Sequence, residues 1–238
     1  MNLTKTISSA LLFAGLAFAG SASALVMNNT GSTSGGTPGG LPIWEVVFDG
    51  TDQGSSFDMH YTFNSTTNAD AISAKASFLL QTVDLDATGE VVLVIDVENN
   101  STGGDPKITS FGFNTNPDIA GAALTTPGST FDLIDTDTNF PGFSTIDVCL
   151  FSQGCSGGAA HSGLASGDSD QITVTLTGDF SSLSTFTMSD FAMKFQAIES
   201  YQLPGSPDDP NTPVPAPATL ALLALGLLGV RAFGRKSA

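Results

Sequence analysis

The residues able to do chemistry in this 238-residue chain are few and scattered. His60 lies beside Asp58 on the polar side of an alternating run, and His161 sits in a Gly/Ala/Ser stretch. Each reads as a solvated imidazole rather than a base or ligand. Cys149 and Cys155 are the only cysteines. Their spacing is not Cys-x-x-Cys, and only the two histidines could complete a metal shell around them. Asp132, Asp135 and Asp137, with Asp168 and Asp170, could wrap a calcium ion through oxygen ligands. Neither group follows the twelve-residue loop with Gly at six and Glu at twelve. A turn-rich loop is therefore the favoured reading of Asp132 to Asp137, with calcium as the alternative and no other cofactor expected. Two carboxyls at the right separation would make a glycosidase, although surface Asp is the commoner case. No Gly-x-Ser-x-Gly, His-Glu-x-x-His, phosphate-binding loop or dinucleotide fingerprint occurs between the two ends of the chain. No catalytic residue is assigned, and an enzyme is not expected. Trp44 could stack on a sugar, but within the apolar run Ile43–Phe48 it reads as core.

The elements that would position these residues are mostly strands. Phe57, Met59, Tyr61 and Phe63 alternate with polar residues, as do Ile172, Val174 and Leu176, which predicts half-buried strands. Val91 to Ile95 is continuously apolar and suits a central strand covered on both faces. Ile43–Phe48 and Lys107–Phe113 add two more. Phe186 and Met188 share one parity while Phe191, Met193 and Phe195 share the other, so a bulge is expected at Ser189-Asp190. The one stretch with helical promise is Asp70–Leu80, where the apolar spacing is indecisive. Many short strands parted by Gly, Asn, Asp and Pro predict an all-β chain, an antiparallel β-sandwich of jelly-roll or Ig-like type.

All 23 acidic residues lie between the two ends, against Lys75, Lys107 and Lys194 and no arginine. Such a balance repels phosphate backbones and excludes nucleic acid as a partner, while favouring solubility and cationic neighbours. Residues 25–42 read as a flexible leader, because 28–40 have no apolar residue to bury. The sandwich is expected over 43–203, in one domain. A Pro/Asp-rich extended spacer is expected over 204–213.

Both ends read as signals. Lys5, an apolar core from Ala10 to Ala19 and the small-x-small Ala22-Ser23-Ala24 predict a signal peptide over 1–24, helical in its core and cut after Ala24. Export then makes a disulfide between Cys149 and Cys155 the default. It would close a ring of seven residues, worth about 2 kcal/mol, enough to pin a local turn. At the other end, Pro213, Pro215 and Pro217 hold the backbone extended before an apolar run from Ala218 to Val230, expected as a transmembrane helix. Arg231, Arg235 and Lys236 place its tip on the cytoplasmic side. Thirteen residues span roughly 20 Å at about 1.5 Å each, short of the roughly 30 Å hydrocarbon core that a plain anchor would cross.

The arrangement over 214–238 resembles the PEP-CTERM sorting signal of Gram-negative bacteria, a short Pro-x-Pro motif followed by a transmembrane helix and an Arg-rich tip. It departs from the usual pattern at Ala216, where Glu is most often found. The resemblance implies an exosortase, a membrane-embedded cysteine peptidase or transpeptidase, as the enzyme that reads and cuts the tail. Val214, Pro215, Ala216 and Pro217 would then be recognised residues, with the inner membrane as a partner. Three further stretches, Ile108–Asn114, Cys149–Gly158 and Phe191–Gln196, look like the cistern type of PEP-CTERM protein. That type implies an exported substrate of the sorting system, produced alongside exopolysaccharide. The expectation is a structural protein, briefly anchored in the membrane and then on the cell surface or in the extracellular matrix of a biofilm or floc. The alternatives are a carbohydrate-binding or calcium-dependent adhesive module and a secreted glycoside hydrolase-like enzyme.

Overall fold

Strands make up almost all of the regular structure among the described residues. The computed structural model describes residues 25–32, 41–64, 71–156, 162–181, 184–196 and 200–207. Among these it forms β1 (Val26–Ser32), β2 (Pro42–Phe48), β3 (Ser56–Asn64), β4 (Ala71–Val83), β5 (Glu90–Asn99) and β6 (Lys107–Asn116). There follow β7 (Gly121–Thr126), β8 (Leu133–Phe140), β9 (Ser144–Phe151), β10 (Ser169–Thr177), β11 (Phe186–Gln196) and β12 (Ser200–Pro204). The strands make two antiparallel sheets, β1-β2-β11-β6-β9-β8 with β12 beside β11, and β3-β4-β5-β10-β7. The chain is therefore the β-sandwich expected. Strands β2, β11, β6 and β9 against β5, β10 and β7 give the wrapped order of a jelly roll.

One core fills the space between the sheets, and phenylalanine dominates it. Phe57 stacks on Phe78 at 4.8 Å between ring centroids, and Phe191 meets these two rings edge-on at 5.9 and 5.5 Å. Each such pair contributes roughly 0.5–1.5 kcal/mol beyond the area it buries. The parity change along β11 is resolved as expected. The ladder to β6 shifts between Ser189 and Ala192, with Asp190 at φ 48°.

Four expectations need correction. The stretch Asp70–Leu80 is strand from Ala71 onward rather than helix, because Ala71–Val83 points Ile72, Ala74, Ala76, Phe78 and Leu80 inward. Two alanines among the inward positions hid the period. β5 is central, between β4 and β10, but its outer face is only half covered and burial alternates along it. The leader is in part a strand: β1 pairs with β2 from Val26↔Val47 to Ser32↔Pro42. An edge strand needs a partner's free backbone more than apolar side chains of its own, and Asn28 Nδ2 adds a bond to Glu45 Oε1 at 2.9 Å. The spacer begins late as well, since Pro204 ends β12 and Ser206 bridges to His60. The expected signal segment 1–24 and the tail 214–238 lie outside the described residues.

Candidate functional site

The three stretches singled out in the sequence become neighbours in space. β6 pairs with β11 through Lys194↔Ser110 and Met193↔Phe111, and with β9 through Phe111↔Leu150 and Gly112↔Cys149. Cys149, two residues before the end of β9, is bonded to Cys155, with the two Cα atoms 6.0 Å apart. The disulfide is buried on the outer side of the sheet, in a small second core with Phe140, Ile146, Phe151 and Ala192, flanked by Phe143. It is a staple for a turn.

Two outward side chains on β6 and β11 hold that turn down. Ser110 Oγ donates to Cys155 O at 3.0 Å, and Lys194 Nζ donates to Ser156 O at 2.6 Å. Ser152 adds a backbone bond to Thr109 O at 3.2 Å. Lys194 is 5% exposed, and among the described residues no carboxylate pairs with it. Burial pushes its pKa below the usual lysine value. The cluster is a clamp of an ammonium and hydroxyls on backbone carbonyls. It was invisible in the sequence, where Lys194 stands in the apolar stretch Phe191–Phe195 with no acid adjacent to mark it.

The acidic candidates separate. Asp132, Asp135, Asp137 and Asp168 are exposed, whereas Asp170 is 5% exposed at the start of β10. Its Oδ1 accepts from Ser129 N and Oγ at 2.7 and 2.9 Å, and its Oδ2 from Thr130 N and Phe131 N at 2.9 and 2.8 Å. A Cβ at Gly128 would stand 2.2 Å from Oδ2, so only glycine lets the 127–131 turn wrap the carboxylate. Burial pushes the Asp170 pKa up, but the bonds from Phe131, Thr130 and Ser129 together outweigh it and hold the carboxyl below its usual range. The carboxylate thus serves to cap the turn. Among the described residues no group of three or more His, Cys, Asp or Glu is placed to hold a metal ion.

Other polar residues that the sequence did not flag turn out to be structural. Asn99 is fully buried, donating to Pro106 O and Leu164 O at 2.8 Å each. Where β6 and β9 part beyond Phe113↔Val148, side chains continue the ladder: Asp147 N donates to Asn114 Oδ1 at 3.0 Å, and Thr115 N to Asp147 Oδ2 at 2.6 Å. His60 is half-buried on β3, facing outward between buried Met59 and Tyr61. Trp44 is only half-buried rather than core, although its Nε1 is buried with no partner among the described residues. His161, the sorting-signal residues Val214, Pro215, Ala216, Pro217, Arg231, Arg235 and Lys236, and the cleavage residues Ala22 and Ala24 lie outside the described residues.

Residues 213–236 match the model of the PEP-CTERM protein-sorting motif. The chain thus carries the signal of an exported protein that an exosortase processes. No curated protein and no solved structure matches the chain.

Proposed function

We propose that this chain is a structural protein of the bacterial surface or extracellular matrix, linked to exopolysaccharide and to biofilm or floc formation, and that it acts by placement rather than by turnover. The observation that carries the reading is the sorting motif at 213–236. On this reading the tail holds the chain in the inner membrane until an exosortase removes it and frees the sandwich outside. An acidic, lysine-poor surface supports a matrix location, because it resists precipitation and leaves carboxylates free to meet cationic polymers. The adjacency of β6, β11 and the cystine ring supports treating those stretches as one module of the cistern type.

Mass spectrometry of the protein from its native host, unreduced, compared with a strain lacking exosortase, tests the reading. Loss of the residues following Val214–Pro217 only when the enzyme is present, with the processed form recovered in the matrix fraction, is the expected result. An intact C-terminus in both strains would remove the main support for a matrix role.

A further inference from the structure

β12 does not end the fold. Beyond Gly205 the chain leaves the sheet of β11 and crosses to the edge of the other sheet. Gly205 N donates to Phe191 O at 2.7 Å. Ser206 and His60 then exchange both backbone bonds, Ser206 N to His60 O at 2.9 Å and His60 N to Ser206 O at 2.7 Å. Leu203, Pro204 and Gly205 are buried. A Cβ at Gly205 would meet Met59 Cβ, Phe191 Cβ and Tyr61 Cζ at 3.1 Å each, so any larger residue passes the rim only if neighbours on both sheets give by a few tenths of an ångström. The strap thus pins the chain at Ser206, on the outer edge of β3.

We propose that this strap is a positioning device for tail processing: by fixing Ser206 on the domain, it sets how far the sorting motif stands from the folded sandwich. The inference rests on the exosortase reading above. The six residues 207–212 separate the pinned Ser206 from the matched motif at 213. At ~3.3–3.6 Å per residue they reach at most about 20 Å. A membrane-embedded enzyme must work within that gap. Freeing Pro204–Ser206 would add three residues, or about 10 Å, of reach. Strap docking and tether length are therefore interchangeable in their effect on the tail.

That equivalence gives the test, read as the processed fraction in the native host. Deleting Asp209-Pro210-Asn211 is expected to slow processing by about tenfold or more, because a linker too short to span its sites gives an effective concentration near zero. Inserting Gly-Ser-Gly at the same place restores it, which shows that length and not sequence is read. Combining the deletion with G205V and S206P, which crowd the rim and delete a donor, also restores it. Hydrogen exchange on the purified full chain reports loss of protection at His60 and Gly205 in that variant. Wild-type processing of the deletion variant would overturn the proposal, as would a freed strap that fails to rescue, or protection that persists despite both substitutions. Absence of exosortase-dependent cutting in the wild-type protein would instead sink the underlying reading.

Discussion

Asp170 and Tyr61 are buried polar groups with opposite fates, and each predicts a different pH behaviour. Asp170 accepts four hydrogen bonds from the 127–131 turn, which hold its carboxyl below the usual aspartate value of 3.8. A lowered carboxylate pKa stabilises the fold above the unfolded value, and that contribution is lost as pH falls through the folded one. D170N puts an amide donor against N–H donors, and urea unfolding at pH 7 should show a loss of about 2–3 kcal/mol, the worth of bonds to a charged acceptor. The difference from wild type should shrink below pH 3.8, where the unfolded aspartate is protonated. Tyr61 shows the reverse. Its hydroxyl is buried with no partner among the described residues, and burial pushes its pKa up from 10.0. Y61F removes a desolvated group and should stabilise by about 1 kcal/mol. The gain should grow above pH 10, because a raised phenol pKa gives stability that is complete below the unfolded value and lost as pH rises. A destabilised Y61F would mean that the hydroxyl has a hydrogen-bonding partner.

At the scale of elements, the cystine turn is an addition to a sheet that is already paired. Its ring sits in the small outer core, while β6, β9 and β11 are held by their ladders and by the main core beneath. Replacing both cysteines by alanine should therefore lower stability by only about 2 kcal/mol, the entropy of a short ring. Exchange should rise at Ser152, whose N–H bonds to Thr109 O, and remain slow along β5. Equal loss of protection in both places would make the turn part of the cooperative core. Elements of this fold were legible where burial is strictly alternating and the inward residues are large, as in β3 and β10. β4 was obscured by small inward residues, and β1 by having its stabilisation in the partner's backbone. The polar clamps of Asn99, Asp147 and Lys194 were not legible for a further reason. Their partners lie 7 to 65, 32 to 33 and 38 residues away, and a distant backbone group or side chain leaves no mark on the local sequence.

On the scale of the whole molecule, one sign of charge dominates, and the fold does little to neutralise it. Of the three lysines of the sandwich, Lys194 is spent on a carbonyl, and Lys75 and Lys107 make ion pairs with Glu98 and Asp105 at 3.2 and 3.8 Å. Two partly exposed pairs contribute roughly 0.2–1 kcal/mol each. Against them stand exposed carboxylates on both sheets that repel one another over a Debye length of about 30 Å at 0.01 M salt. Adding sodium chloride to about 0.15 M shortens that length to about 8 Å, weakening a large repulsion and only a small attraction. The thermal midpoint of the purified sandwich should therefore rise with salt, while binding to a soluble polycation such as polylysine should weaken over the same range. A midpoint that falls with salt would show that the lysine pairs outweigh the summed repulsion. Polycation binding that persists at high salt would point to a shaped contact rather than a diffuse field, and would move the acidic surface from a means of staying dispersed in a matrix to a means of gripping it.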